Sequence, residues 1–213
     1  MSKLQILIGC TRPTRAAGRV APWIAGAAQG HGAFEVEVLD LRDWDLPFFQ
    51  EHLGTIGDWS DPSYSEPVVR AWNHKLAEAD AFVIVTTEDN HSVPGEPKNA
   101  LDSVWLSFAL RNKPVAFAGY SVGIAGGSRA VEHLALSAIE AEAVPLRNSV
   151  LIPFVGDAFG EDGEPRNPAS DAALTVMLDD LAWWAPVLAR ARAEGQLPPA
   201  AFRNRAAAAV AAD

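Results

Sequence analysis

The chain has 213 residues, of which 49% are hydrophobic and 21% are charged, and its formal net charge is -10. This length and composition predict one compact domain with a substantial core. The acidic balance argues against a surface that collects nucleic acid or anionic lipid by long-range attraction, so any bound phosphate must be held locally. Cys10 is the only cysteine, which excludes an intramolecular disulfide and a cysteine-rich zinc site.

A short apolar run opens the chain. Residues Leu4 to Ile8 are followed at once by Gly9, which is typical of a buried parallel strand. The run is too short to span a membrane, and neither an export signal nor an anchor is visible in it. We therefore expect a cytoplasmic protein with no membrane partner and no nucleic-acid partner.

Strand and helix patterns then alternate along the chain, which predicts an α/β fold with a doubly wound parallel sheet and right-handed crossovers. We expect a single domain over residues 1–194 and a Pro- and Ala-rich tail over 195–213, either an arm or a disordered segment. The periodicity predicts strands at Leu4–Ile8, Phe34–Leu41, Ala81–Thr86, Val115–Ala118 and Ser149–Val155, and helices over Arg19–Gln29, Val68–Ala79, Pro97–Phe108, Gly126–Glu142 and Ala172–Ala193.

A long irregular segment, Arg42 to Pro67, separates the second strand from the second helix. Structureless stretches of this length are uncommon in compact domains and often form lids or interfaces. Its aromatic residues either line a pocket for a flat substrate or pack in an interface, and both alternatives stay open. They are Trp44, Phe48, Phe49, Trp59 and Tyr64.

The loop after the first strand, Gly9 to Arg19, is a candidate anion site. Backbone amides at a helix N-terminus favour an anion, and Thr11, Arg12 and Arg15 add hydroxyl and guanidinium donors. The loop lacks the patterns of a P-loop and of a dinucleotide fold, so a single monophosphate is the better match.

A second polar loop runs from Thr86 to Asp102, TTEDNHSVPGEPKNALD, between a buried strand and a helix. Open α/β sheets bind their ligands at this position, beyond the carboxyl ends of the strands. A third loop, rich in glycine, follows the fourth strand and allows close backbone approach. The three loops together predict one ligand site.

Three segments together resemble the NADPH-dependent FMN reductase family of flavodoxin-like quinone, azo and flavin reductases. They are Gly9 to Arg15, Glu88 to Asp102, and Gly119 to Leu134, which reads GYSVGIAGGSRAVEHL. The segments lie in the order and spacing of that family, and the similarity extends over about residues 3 to 190. The resemblance implies a flavodoxin-like, five-stranded parallel sheet of order 2-1-3-4-5 with helices on both faces.

The resemblance also implies the roles of these segments. In that family the first holds the FMN phosphate, the second lies against the isoalloxazine ring, and the third borders the other edge of the ring. It further implies NADPH or NADH as cosubstrate, a small-molecule electron acceptor, and a homodimer or tetramer with flavin sites near the subunit boundary. Carried over, the cofactor-binding residues are Cys10, Thr11, Arg12 and Arg15 at the phosphate and Thr87, Glu88, Asp89, Asn90, His91, Gly119, Tyr120 and Ser121 at the ring.

Two positions depart from the family pattern. Family members usually have serine where this chain has Cys10, and Pro-Glu-Tyr-Asn where it reads Thr87-Glu88-Asp89-Asn90. A thiol is a weaker donor than a hydroxyl, which Thr11 and the arginines can offset. The carboxylate of Asp89 either lowers the potential of the flavin, or binds a cationic group of the substrate, or points to solvent.

No catalytic side chain is required, because hydride passes between stacked rings. His91 is a candidate general acid, and its alternative is a hydrogen bond at the ring edge or in the structure. The histidines show no spacing typical of metal ligands, so no metal is expected.

The sequence therefore predicts an FMN-dependent NAD(P)H oxidoreductase that reduces a quinone, azo compound, nitro compound or free flavin. Two alternatives are a flavodoxin-fold flavin-binding or regulatory protein with little or no turnover, and a specialised flavoenzyme of a biosynthetic pathway. Cys10 and Asp89 are the features that favour the regulatory alternative.

Overall fold

A parallel sheet forms the centre of the fold. The computed structural model describes residues 1–58 and 61–204 of the chain. A 3-10 turn, Leu41–Asp43, follows the second strand. The helices and strands are β1 (Ser2–Ile8), α1 (Ala17–His31), β2 (Phe34–Asp40), β3 (Gly57–Asp58), β4 (Asp61–Pro62), α2 (Pro67–Ala77), β5 (Ala81–Thr87), α3 (Gly95–Asp102), β6 (Pro114–Tyr120), α4 (Ser128–Glu140), β7 (Val144–Pro145), β8 (Val150–Ile152) and α5 (Pro168–Glu194).

The sheet has the order β2-β1-β5-β6-β7, and β8 also pairs with β6. All of these pairs are parallel. Because β7 pairs with the start of β6 and β8 pairs with its end, the two act as one interrupted fifth strand. This is the predicted order 2-1-3-4-5, so the predicted fold is confirmed. The strand predicted at Ser149–Val155 is shorter than expected, and β7 was not predicted.

Two apolar layers cover the sheet. Helices α1 and α5 pack on one face, where Ile24, Met177 and Leu181 are fully buried. Helices α2, α3 and α4 pack on the other face around Trp72 and Leu134. Every residue of β5 is buried, as expected for the central strand of a doubly wound sheet. Each large buried side chain contributes roughly 1.5–3 kcal/mol to folding.

The third helix is shorter than predicted, because it ends at Asp102 rather than Phe108. The next carbonyls are taken by side chains of other elements: Asn73 Nδ2 donates to Ser103 O at 2.7 Å and Tyr64 Oη donates to Trp105 O at 2.6 Å. Leu106 and Phe108 then adopt positive φ, at 65° and 54°. The apolar periodicity continues past the end of α3 because the connection between α3 and β6 is itself packed against the core.

The last long helix, α5, is long and apolar enough by composition to cross a membrane. This is weak evidence, because Leu174, Leu178 and Leu181 on one side of the helix are buried against the sheet. Trp183 is 60% exposed and Trp184 is half-buried, so these adjacent residues do not both face the core.

The chain after α5 folds back over the connection between α3 and β6. Residues 200–204 are helical, the Phe202 ring lies 5.8 Å from that of Phe108, and Ala200 N donates to Glu142 Oε1 at 2.9 Å. The first part of the predicted tail is therefore packed on the domain. The remainder of the tail, 205–213, and Trp59 of the long segment lie outside the described residues.

Candidate active site

The predicted site residues lie at or just beyond the carboxyl ends of β1, β5 and β6, which meet at one edge of the sheet. The first and second loops are joined by an ion pair between Arg12 Nη2 and Asp89 Oδ1, 3.2 Å apart. The second and third loops are joined by a hydrogen bond from Glu88 N to Tyr120 O at 3.1 Å. The structure therefore brings the three segments together.

The first loop, between β1 and α1, presents free backbone amides. Arg15 N donates to Arg12 O at 3.3 Å, but the amides of Thr11, Arg12, Thr14 and Ala16 donate no hydrogen bond within residues 1–58 and 61–204. Free amides at the N-terminus of α1, together with the positive end of the helix dipole, form a site for one anionic group.

The side chains of this loop are arranged differently from the prediction. The Arg12 side chain is 58% exposed, and its guanidinium pairs with Asp89. Arg15 is turned inward to Asp40, and its side chain is 9% exposed. Thr11 Oγ1 donates to Glu96 Oε1 at 2.8 Å. Direct phosphate contact by Arg15 thus stays a prediction that the geometry of its guanidinium does not favour.

Cys10 is 2% exposed, and it is a free cysteine. Beside it lies the buried hydroxyl of Tyr120, which is close to the Cys10 thiol and to the backbone of Ala17. Burial raises the pKa of Tyr120, and the neighbouring Cys10 thiol adds to this shift. The hydroxyl therefore stays protonated in the folded protein.

The second loop forms a tight turn directly after β5. Asp89 and Ser92 exchange two backbone hydrogen bonds of 3.0 Å, and the two residues between them, Asn90 and His91, are exposed with φ of 49° and 70°. The turn holds Asn90 and His91 at its tip, where a ligand can reach them. Asp89 lies at its base and faces Arg12.

Glu88 holds the second loop to α4. Its carboxylate pairs with Arg129 Nη1 and accepts from Arg129 N at 3.2 Å, and its side chain is 7% exposed. A negative charge at the N-terminus of a helix is favourable, so Glu88 stabilises the start of α4. Its backbone, rather than its carboxylate, is left for the predicted ring contact.

The third loop is fixed by close packing between β6 and α4. A Cβ on Gly119 would lie 2.9 Å from Gly127 O, and Gly127 has φ of 88°. Ser121 Oγ donates to Gly123 O at 2.9 Å and accepts from Gly126 N at 3.0 Å. These glycines are needed for strand–helix packing, and Ser121 shapes the loop, while their predicted contacts with the ring stay predictions.

A cavity of about 360 Å³ lies beside the first loop, between the long segment and the start of α3. Trp44 and Phe48 form its aromatic wall, Asp45 and Glu96 add carboxylates, and Phe48 is 86% exposed. A larger cavity of about 940 Å³, which Phe49 lines, lies further along α3. Three aromatic residues of the long segment, Trp44, Phe48 and Phe49, therefore line the two cavities, while Tyr64 is buried with Ile56 and Val69.

Three polar residues of this edge were not found by sequence reasoning: Asp40, Arg42 and Arg129. Asp40 is the last residue of β2 and Arg42 lies just beyond it; Asp40 contacts Arg15, and Arg42 contacts the backbone of the first loop. The signal was present in the charged run immediately after the second strand, since the carboxyl ends of all parallel strands share one edge. No group of three or more His, Cys, Asp or Glu side chains within residues 1–58 and 61–204 could hold a metal.

The order of the parallel sheet defines a flavodoxin-like fold, and the free amides beyond β1 give it a site for one anionic group. A family model described as NADPH-dependent FMN reductase matches residues 2–157. The chain therefore belongs to the NADPH-dependent FMN reductase family, and it is an oxidoreductase that uses FMN and NAD(P)H.

Individual relatives agree with this family. The chain is 32% identical over 136 residues to an NAD(P)H-dependent FMN reductase of Schizosaccharomyces pombe, covering 62% of this chain and 65% of that protein. It is also 32% identical over 135 residues to a 2-hydroxy-1,4-benzoquinone reductase of a Burkholderia species, covering 62% and 67%. The chain thus spans about two thirds of the length of each.

Among solved structures, the flavoenzyme NAD(P)H:(acceptor) oxidoreductase FerB of Paracoccus denitrificans superposes with a TM-score of 0.69 at 21% identity. The match covers 87% of this chain and 98% of that one. At this identity the comparison supports the fold, which agrees with the sheet order.

Proposed function

We propose that the domain, residues 1–194, takes hydride from NADPH or NADH onto FMN held at this edge of the sheet and then reduces a small quinone, azo, nitro or flavin acceptor. The free amides of the first loop carry the proposal, because they fit one phosphate monoester and lie beside the two other family segments. Bound FMN supplies the two-electron chemistry. The chain supplies binding and orientation.

The residues at the edge would divide this work. The amides of Thr11 and Arg12 would bind the phosphate, and the Arg12 guanidinium would neutralise it. The exposed turn at Asn90 and His91 would lie along the isoalloxazine ring. The identity to a benzoquinone reductase and the aromatic wall of the smaller cavity support a flat acceptor.

We also propose that the protein is a cytoplasmic homodimer or tetramer. Around the larger cavity, Trp105, Leu136 and Ile139 are 37%, 66% and 57% exposed, an apolar surface of the kind that interfaces cover. Analytical ultracentrifugation of the purified chain tests this part of the proposal, and a single monomeric species would contradict it.

The direct test of function is a reduction assay. The purified chain is titrated with FMN, and the complex is mixed anaerobically with NADPH or NADH while the flavin absorbance is followed. Bleaching of the flavin, and its recovery when a quinone is added, is the expected result. A chain that binds no FMN would overturn the proposal, and bound FMN that neither nucleotide reduces would favour the flavin-binding or regulatory alternative.

The phosphate assignment has its own test. Arg12→Ala should weaken FMN binding by about tenfold, since a hydrogen bond to a charged group is worth roughly 1.5–3 kcal/mol. Riboflavin, which lacks the phosphate, should bind equally to both forms. Arg147→Ala removes an exposed arginine whose side chain, among residues 1–58 and 61–204, bonds to its neighbour Asn148 alone, and it serves as the matched control.

A further inference from the structure

Three consecutive carbonyls of the first loop are held by two arginines. Cys10 O accepts from Arg15 Nη1 at 2.6 Å. Thr11 O accepts from Arg42 Nε at 3.0 Å, and Arg12 O accepts from Arg42 Nη2. The guanidinium groups thus lie on the carbonyl side of this loop.

Asp40, the last residue of β2, holds the guanidinium of Arg15 and the backbone amide of Arg42, from which the Arg42 side chain extends to the loop. Its Oδ1 accepts from Arg15 Nη1 at 2.6 Å, its Oδ2 pairs with Arg15 Nη2, and Oδ1 also accepts from Arg42 N at 3.0 Å. The bonds from Arg15 hold the pKa of Asp40 below its usual range. The side chains of Arg15 and Asp40 are only 9% and 20% exposed, so this bidentate pair is not the kind of exposed ion pair that contributes little.

This arrangement fixes the direction of the amides. In a planar trans peptide unit, the carbonyl of one residue and the amide of the next point in opposite directions. With the carbonyls of Cys10 and Thr11 held by the arginines, the amides of Thr11 and Arg12 must point away from them. These are two of the amides that have no acceptor within the described ranges of the chain.

We propose that Asp40, Arg15 and Arg42 are positioning residues that aim the amides of the first loop at the phosphate of FMN, and that Arg15 acts through the loop instead of touching the phosphate. This inference rests on the proposed function, because it takes the ligand of the loop to be that phosphate. The three residues connect the ends of β1 and β2, so the site depends on the register of these two strands, in which Ile8 lies opposite Asp40.

The substitution Asp40→Asn tests the proposal by the sign of its effect. Removing a negative charge near a phosphate should tighten FMN binding if only Coulomb attraction matters. If Asp40 positions the loop, FMN binding should instead weaken by about tenfold, the effect of losing hydrogen bonds between charged groups. Riboflavin affinity should change by less than about twofold, because riboflavin lacks the group that the amides bind. Both ligands are titrated by quenching of flavin fluorescence.

Two further variants complete the experiment. Arg42→Lys keeps the charge at an exposed residue but loses the two-point contact with Thr11 O and Arg12 O, so the ratio of FMN to riboflavin affinity should again fall. It covers the case in which Asp40→Asn does not fold. Glu35→Gln removes one negative charge from an exposed position of the same strand and should leave the ratio unchanged.

The outcomes distinguish failure of the positioning role from failure of the proposed FMN-dependent function. Tighter FMN binding by Asp40→Asn would overturn the inference, because it would mean that Asp40 restrains Arg15 from acting as a ligand. An equal loss of FMN and riboflavin affinity would overturn it as well, because the effect would then be general loss of structure. Failure of the unmodified chain to bind FMN would remove the proposed function itself, and the inference with it.

Discussion

Arg12 has a counter-ion of its own, Asp89, at the position where family members carry an aromatic residue. The two side chains are 58% and 37% exposed, and their closest atoms are 3.2 Å apart. An exposed pair of this kind contributes about 1 kcal/mol or less. It nevertheless matters for binding, because a phosphate and Asp89 would compete for the same guanidinium.

The substitution Asp89→Asn should therefore tighten FMN binding, by up to about fivefold, the effect of removing a competing interaction of at most about 1 kcal/mol. The gain should shrink at high salt, because charges near the surface are screened. Fluorescence titration at two salt concentrations measures both effects. The control is Asp179→Asn, which removes an exposed carboxylate on α5 that pairs with His31 of α1. Weaker FMN binding by Asp89→Asn would show instead that the Asp89 carboxylate assists cofactor binding.

At this scale the sequence identified some residues of the site and missed others. Arg12 could be predicted as a site residue because it follows the first strand, which is a property of chain position. Asp40 and Arg42 were missed because their partners lie 25 to 31 residues away, in a loop on the neighbouring strand. The inward turn of Arg15 has the same cause, since only the pairing of β1 and β2 brings Asp40 within its reach.

Among the elements, the contact between β6 and α4 tolerates no side chain. Gly127 has φ of 88°, and a Cβ there would lie 2.5 Å from Tyr120 N and 2.7 Å from Gly119 Cα. Both the backbone conformation and the space require glycine at this position. The start of α4 and the third loop thus depend on one backbone contact.

Gly127→Ala should lower the free energy of unfolding by about 2 kcal/mol, since a side chain at a positive φ costs roughly 1–3 kcal/mol. The same substitution at Gly26, an exposed position within α1 with no atom within 4 Å of the added Cβ, should raise it by roughly 0.4–1 kcal/mol. Urea unfolding followed by tryptophan fluorescence compares the two. A similar loss of stability in both variants would show that the close packing and positive φ of Gly127 do not cause the loss in Gly127→Ala.

Helices and strands could be predicted where the periodicity is local. The central strands β5 and β6 and the helices on both faces are continuous in pattern, and they were found. The end of α3 was not predicted, because the side chains of Asn73 and Tyr64 donate hydrogen bonds to carbonyls that a longer helix would use. Both residues belong to distant segments of the chain. The split of the fifth strand into β7 and β8 likewise depends on pairing with β6 and has no local signal.

At the scale of the whole molecule, the edge of the sheet opposite the site contains a buried amine. Lys113, just before β6, is 6% exposed and donates to Leu76 O at 3.1 Å and Ala77 O at 2.8 Å at the end of α2. Burial lowers the pKa of Lys113 to about 8, and the nearby charge of Arg192 adds to this shift. The amine therefore loses its proton more readily in the folded protein than in the unfolded chain.

This difference makes the stability depend on pH with a definite sign. Between the lowered pKa of about 8 and the ordinary value of 10.5, the unfolded chain binds the proton and the folded protein does not, so the free energy of unfolding rises with pH. From pH 7.5 to 9.5 the gain should reach up to about 2 kcal/mol. Above this window the raised pKa values of Tyr64 and Tyr120 act in the opposite direction, since these groups stay protonated only in the folded protein.

Lys113→Met should remove this rise. Urea unfolding of both forms at pH 7.5 and 9.5 measures it, and each form is compared with itself, so the general effect of the substitution on stability cancels. A rise of the same size in Lys113→Met would assign the pH dependence to other groups.

The sheet order was accessible from sequence because five strand patterns alternate with helices, and right-handed crossovers leave few arrangements. The long segment between β2 and α2 was recognised as a cover, but its path was not predictable. It is fixed by Asn99 of α3, whose side chain accepts from Phe49 N and donates to Pro47 O, both at 2.8 Å. Such contacts between distant segments determine where the two cavities lie.

The burial of Cys10 makes the first loop observable by chemical labelling. As the single thiol of the chain, at 2% exposure, it can react with a disulfide reagent such as Ellman's reagent only while the loop above it is open. The rate of colour release therefore measures how often this loop opens. FMN should slow the reaction and riboflavin should not, which would give a readout of the phosphate end of the site that needs neither the colour of the flavin nor its reduction.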